Sequence, residues 1–352
     1  MELDVRNGYQ GDIPFSNYPD FSQQGYQVIQ ELGRNREAGR TTYLAHALKT
    51  DQRVVIKEFR FASVIPDWSG LKAYEREIEI LQQLNHSRIP RYIDSFETPA
   101  GFYMLQEYKN APSLGLQRHF HPEDIKKIAV SVLEILVYLQ KLVAPIIHRD
   151  IKPENLLVDE QLNAYLIDFG LARIKGAKMT LSSFAAGTPG FMPPEEHFGY
   201  PLTEASDLYS LGATIICLLT CTRSVNIGQL IDAKHRLNLQ KLIPQISPCF
   251  RLWLMKMVAN KRQHRYANAA MALEALKPIS VIGNATGVET VVTAVKSRKK
   301  SFVLGIAAIG TLAVAGTKLM IAQSAMVNKQ VLEARECQDL KSSVNCLDKT
   351  RY

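Results

Sequence analysis

The sequence predicts an α+β fold in two lobes, a small β-sheet lobe carrying one helix and then a larger, mainly helical lobe. Three observations point there. Between Tyr26 and Tyr108 five β-rich runs are separated by turns: YQVIQEL, TTYLAHA, RVVIKEF, RYIDSF and GFYMLQEY. One helical pattern interrupts them, GLKAYEREIEILQQL, with Leu71, Tyr74, Ile78, Leu81 and Leu84 spaced for a single face. From Pro112 to Leu276 the pattern turns helical, as in HPEDIKKIAVSVLEILVYLQKL and SDLYSLGATIICLLT. A sheet lobe ahead of a helical lobe predicts a cleft between them, a common place for a ligand.

The remaining composition bounds the function. With 46% apolar and 22% charged residues, most of the 352-residue chain can bury a core. The net charge of +8 is uneven: residues 279–352 carry ten Lys or Arg against five Asp or Glu. The body is therefore near neutrality, which argues against nucleic acid as a partner. Residues 1–25 are polar and turn-rich and read as a flexible arm, with no basic and apolar leader pattern. Cys217, Cys221 and Cys249 lie in apolar helical contexts, which predicts reduced, buried thiols. No C-x-x-C occurs, which argues against zinc.

Two apolar stretches read differently. LGATIICLLT is only ten residues long and suits a buried core helix. SFVLGIAAIGTLAVAGTKLMIA, residues 301–322, has no charge from Phe302 to Thr317. As a helix, Phe302 to Ala322 would reach about 31 Å, near the hydrocarbon thickness of a bilayer. Lys318 lies near its far end and can snorkel. Lys296, Arg298, Lys299 and Lys300 precede it, and Lys and Arg accumulate on the side that stays inside. The expectation is a single-pass protein of the cell membrane, in contact with the lipid bilayer and with its folded domain cytoplasmic. Its parts are an arm over 1–25, a domain over 26–277, a linker with a basic juxtamembrane cluster over 278–300, a transmembrane helix over 301–322 and a short extracytoplasmic tail over 323–352. Cys337 and Cys346 in that tail fit either a disulfide or two free thiols.

Four separated stretches fit one reaction. VVIK places Lys57 at the end of a strand, and REIEIL places Glu77 in the following helix. IIHRDIKPENLL contains Asp150, Lys152 and Asn155, and YLIDFGLA contains Asp168 after a short apolar strand. Phosphoryl transfer needs a cation on the phosphates, a group holding that cation, oxygen ligands for magnesium and a base near the attacking hydroxyl. Together these stretches, with GTPGFMPPE, SDLYSLG and HRYANAAMALEAL in order behind them, resemble the protein kinase family. The resemblance is to the eukaryotic-type Ser/Thr kinases that bacteria also carry, and LGRNREAGRTTYLA and SDLYSLGAT have a cyanobacterial cast. It covers roughly Tyr26 to Lys277.

The resemblance implies ATP with Mg2+ or Mn2+ as cofactors and a protein Ser/Thr hydroxyl as acceptor, with self-association for autophosphorylation. It implies that Lys57 holds the phosphates and pairs with Glu77, that Asp168 and Asn155 ligate metal, and that Asp150 takes or orients the hydroxyl proton. Lys152 matches the Ser/Thr type of catalytic loop. Thr188 would contact that loop, Glu195 would pair with Arg265, and Asp207 would tie the loop to a central helix. Val55 would lie over adenine, and the backbone of the hinge, Glu107 to Lys109, would meet it, with Gln106 just before. Arg149, beside Asp150, goes with activation-loop phosphorylation in the family. Arg173 is a second member of such a cluster, and Thr180, Ser182 and Ser183 are candidate acceptors that also fit ordinary loop hydroxyls.

The departure lies in ELGRNREAGRTTYLA. The nucleotide-covering loop would run from Leu32 and Gly33 to Gly39, longer than usual, with Asn35 where the middle glycine stands. Asn tolerates the left-handed region better than other non-glycine residues, so the expectation is an altered but working lid, Asn35 taking the positive φ. Arg34, Arg36 and Arg40 add charge around it, read as mainly solvated. A pseudokinase that signals by binding, and a small-molecule kinase, are the rival readings. The intact Lys57, Asp150, Asn155 and Asp168 oppose the first, and GTPGFMPPE opposes the second.

Overall fold

A computed structural model describes residues 18–35, 39–60, 68–116, 119–176, 188–231 and 239–282. The chain forms two compact units, the first comprising the described residues up to Gln82 with Pro90–Tyr108, the second comprising Gln83–Ile89 and the described residues from Lys109 on.

In the first unit, runs rich in Val, Ile, Thr and Tyr make strands β1 (Tyr26–Asn35), β2 (Arg40–Ala47) and β3 (Gln52–Arg60), β2 beginning with alternating burial and β3 buried on both faces through Val54–Ile56. Helix α1 (Trp68–Gln83) follows, then β4 (Tyr92–Thr98) and β5 (Gly101–Glu107). The sheet is antiparallel throughout, in the order β1-β2-β3-β5-β4. Tyr43, Ala45, Ile56, Tyr103 and Leu105 form its core on one face. Phe21 joins them, nearly fully buried and edge-on to Tyr43, Phe96 and Tyr103. Residues 18–25 therefore belong to this unit, which corrects the flexible arm; residues 1–17 lie outside the described residues.

Helix α1 buries Tyr74, Ile80 and Leu81, and Glu77 shares that side. Ile78, expected on the buried stripe, is only half-buried. The i, i+3, i+4 series from Tyr74 runs through Glu77 to Leu81, so the stripe is centred on a carboxylate, which an apolar count passes over.

The second unit opens with helix α2 (Pro122–Lys141), started by Pro122 with Glu123 and Asp124 in its first turn, where the fixed φ and negative charge suit a helix N-terminus. Short strands β6 (Ile146–Ile147), β7 (Leu156–Val158), β8 (Ala164–Leu166) and β9 (Arg173–Ile174) follow, β6 pairing with β9 and β7 with β8. Helices α3 (Pro194–His197), α4 (Glu204–Leu219), α5 (Leu239–Leu242), α6 (Pro248–Met257) and α7 (Ala269–Leu276) complete it. A capping box between Thr203 and Ser206 starts α4, whose residues 205–217 are all buried. LGATIICLLT is thus the core helix expected, and among the described residues no single helix is long and apolar enough to cross a membrane.

Packing continues past Lys277. Ile279 and Val281 are buried, and Ile282 bridges Ile246, so the packed domain reaches at least Ile282, beyond the boundary expected at 277. The basic cluster, residues 301–322 and the tail with Cys337 and Cys346 lie outside the described residues. Cys217 is a buried free thiol as expected, and Cys221 is free but exposed.

Candidate functional site

The functional side chains divide between the two units. In the first, period-two alternation along β3 puts Val55 and Lys57 on one face, opposite Leu44 and Thr42 of β2 and Gln106 and Met104 of β5. Lys57 Nζ lies 2.6 Å from Glu77 Oε1, and both side chains are largely withdrawn from water. Neither charge sits easily there alone, so each holds the other in place.

The glycine-bearing segment departs from expectation. Asn35 continues β1, paired with Arg40, and is extended. The residue in the left-handed region is Gly39, at φ +60°. Asn35 therefore does not replace a glycine that the backbone requires, which removes the ground for reading the lid as crippled. Leu32, a half-exposed apolar side chain, sits at a register shift of β1, and Gly33 follows opposite Thr42. A Cβ built on Gly33 meets nothing within 4 Å, so glycine there leaves open space rather than relieving a protein clash. Of the three arginines, Arg34 pairs with Glu31 at the surface and Arg40 lies over the Phe59 ring; Arg36 is outside the described residues.

Gln106 is buried at the end of β5. The Glu107 N–H donates to Arg91 O at 2.9 Å, so at the expected hinge the peptide N–H of Glu107 is already engaged. In the second unit Lys109 Nζ donates to Ser87 O at 2.8 Å.

That unit assembles the acidic part. Asp150 Oδ1 accepts from Thr188 Oγ1 at 2.9 Å, and its Oδ2 accepts from Asn155 Nδ2 at 2.7 Å and lies 3.0 Å from Lys152 Nζ. Lys152 Nζ also donates to Thr188 Oγ1 at 2.7 Å. Asn155 donates again to Asp150 O, and its own carbonyl accepts from the Ile167 N–H, which ties this loop to the residue before Asp168. Asp168 has a positive φ of 63°, an unusual state for a non-glycine residue that commonly marks a functional position.

Asp207, buried on α4, braces the loop from beneath by accepting the N–H groups of His148 and Arg149 at 2.8 and 2.9 Å. Burial pushes its carboxyl up to about 6, against the pull of those two N–H groups. Glu195 and Arg265 pair as expected. Arg149 also has positive φ, and Arg149 and Arg173 converge on Leu171 O. Thr180, Ser182 and Ser183 lie outside the described residues.

Three participants escaped the sequence. Glu196 takes the Arg149 guanidinium; His148 stacks edge-on against Phe169 with its Nε2 3.2 Å from Ile167 O; Ser206 Oγ donates to Glu195. The first could have been suspected from two adjacent acids in PPEEH; the others carry no signal apart from position.

The model of the protein kinase domain matches residues 26–276. This chain belongs to the protein kinase family. Among relatives of this kinase chain are serine/threonine-protein kinase B of Synechocystis, 31% identical over 72% of this chain and 46% of that protein, and serine/threonine-protein kinase PknA of Nostoc, 31% identical over 72% of this chain and 47% of that protein. A plant protein, the LRR receptor-like serine/threonine-protein kinase ERL1 of Arabidopsis thaliana, is 34% identical over 63% of this chain and 24% of its own length. The chain spans about half the length of the cyanobacterial relatives it matches.

For the magnesium that a kinase domain uses, no group of three or more His, Cys, Asp or Glu stands ready among the described residues. The donors present are the Asp168 carboxylate and the Asn155 amide oxygen, whose amide nitrogen is spent on Asp150. Two hard oxygen ligands fit Mg2+, which keeps waters and takes phosphate oxygens for its remaining positions.

Proposed function

We propose that this chain is a Ser/Thr protein kinase that moves the γ-phosphate of ATP to a protein hydroxyl. The observation that carries the reading is the network around Asp150: one carboxylate held by three side chains, the Thr188 hydroxyl, the Asn155 amide and the Lys152 ammonium. Asp150 accepts or orients the proton of the attacking hydroxyl. Lys152 places positive charge beside it, where charge on the transferred phosphoryl group can be met. Thr188 links Asp150 to the segment that would seat the peptide. Lys57, fixed by Glu77, aims its ammonium at the phosphates; Leu32 and Val55 offer apolar surface to the base, and Gly33 leaves room for close approach. Asp168 and Asn155 would hold Mg2+, which screens the phosphate charge when bound.

The test is transfer of labelled phosphate to a protein acceptor. Wild type should turn over, and Lys57→Met or Asp150→Ala should lower the rate by about a thousandfold in protein that still folds. Wild-type turnover in either variant would overturn the assignment.

We also propose that residues 301–322 cross the cell membrane once, with the kinase domain cytoplasmic and the tail outside. What supports this is the apolar length and the basic cluster at 296–300. Tethering would favour membrane-proximal protein substrates and raise encounters between copies, as autophosphorylation requires. With a tag at Tyr352, protease added to intact cells should remove the tag and spare the kinase domain. A protected tag, or full-length protein in the soluble fraction, would contradict this topology.

A further inference from the structure

The resemblance to the kinase family links Arg149 with activation-loop phosphorylation, yet its charge is already met. Its Nε donates to Glu196 Oε1 at 2.9 Å and its Nη2 donates to the same oxygen. Both side chains are fully buried. Arg149 is the residue immediately before Asp150, and its backbone N–H is the one Asp207 grips. Glu196 is the residue immediately after Glu195, whose pair with Arg265 anchors α3. The acid that meets Arg149 is therefore supplied from a fixed helix, and not from the segment that carries Thr180, Ser182 and Ser183.

A buried arginine without a partner is unfavourable, and a buried pair resists the removal of either member. A phosphate brought to Arg149 would have to displace Glu196 or stand beside it as a like charge. Arg173, the other arginine nearby, turns its Nη1 to the Leu171 and Ala172 carbonyls.

We propose that Glu196 is a positioning residue that neutralises Arg149 in place of a phosphate, so that the Asp150 loop is set for transfer without phosphorylation of the 180–183 segment. The inference rests on the kinase reading above. Glu196 touches neither substrate nor nucleotide; it acts through Arg149 on the orientation of Asp150.

Two arms test it, both on the full chain. In the first, the Thr180→Ala, Ser182→Ala, Ser183→Ala triple variant and phosphatase-treated wild type are assayed on an exogenous protein acceptor. Both should keep kcat within about threefold of untreated wild type, because no phosphate is needed to hold Arg149. A loss of about a hundredfold in either, the scale of a misplaced catalytic group, would overturn the proposal. In the second arm, Glu196→Gln should lower kcat by about tenfold or more with KM for ATP little changed, and Glu196→Asp should restore part of it. An unchanged kcat in Glu196→Gln would also overturn it. If Glu196→Gln does not fold, the first arm still decides. A wild type that transfers no phosphate would instead overturn the kinase reading, so the two failures are distinguishable.

Discussion

Glu195 and Arg265, seventy positions apart, meet in a two-pronged ion pair, each arginine Nη 2.7 Å from a different carboxylate oxygen. Arg265 also donates to the Ala205, Ala259 and Asn260 carbonyls, and Ser206 Oγ donates to Glu195. The pair thus joins α3, the start of α4 and the 259–265 turn at one buried point. Glu195→Gln leaves the guanidinium buried with no countercharge and one of its two acceptor oxygens gone, and should cost about 3–5 kcal/mol. Replacing both residues by Met should cost less than either single change. Chemical denaturation of the single and double variants checks this; equal, additive losses would show that the pair is not coupled.

The same carboxyl sets an acid limit. Burial alone would raise it, but the hydrogen bonds and charge of Arg265 outweigh burial and hold it below the ordinary carboxylate value of 4.5. With the folded value depressed, the unfolded chain binds the extra proton. The stability it contributes is therefore present above about pH 4.5 and is lost as pH falls through the depressed value. Between pH 6 and pH 3, wild type should lose stability more steeply than Glu195→Gln. Parallel curves would contradict the assignment.

Two glycines should behave in opposite ways. A Cβ on Gly101 would come within 2.2 Å of Phe59 O and 3.0 Å of Arg60 Cα, both backbone. Gly101→Ala must push β3 from β5 and should cost about 1–3 kcal/mol. Gly33→Ala meets open space and should change stability by less than about 0.5 kcal/mol, while raising KM for ATP if the phosphates pass there. Asn35→Gly should bring no gain in turnover, since Asn35 is already extended in β1. Thermal melts with ATP titrations separate the three outcomes.

The two free thiols should react unequally. Burial, aided by the charge of Glu154, pushes the Cys217 thiol up to about 12. Cys221 is exposed, with Sγ 3.2 Å from His119 Nδ1. Iodoacetamide at pH 8 should label Cys221 in the folded protein and Cys217 only after denaturation, as mapped by mass spectrometry. Equal labelling in the folded state would show that the α4 end opens readily.

What the sequence made legible was what short range dictates. β-rich runs, the 3.6-residue pattern of α2 and α4, and the grouping of Asp150, Lys152 and Asn155 within six positions all appear in the fold where the spacing put them. What it hid depends on long-range packing. Phe21 looked like part of a polar arm because its partners Tyr43 and Tyr103 are 22 and 82 positions away. Asn35 looked like a turn residue because motif alignment counts glycines and cannot see that β1 runs on to pair with Arg40. Glu196 read as one acid among several, since only the folded chain brings it to Arg149.

The central claim, that the Asp150 and Asp168 groups serve phosphate transfer from ATP, is tested most directly by one assay. Purified full chain is incubated with γ-labelled ATP, Mg2+ and a protein acceptor, beside Asp168→Asn, and labelled phosphoserine and phosphothreonine are measured. Wild type should label the acceptor, and Asp168→Asn should fall by about a thousandfold with an unchanged melting curve. Equal labelling by the two proteins, or none by a wild type shown to bind ATP, would contradict the account.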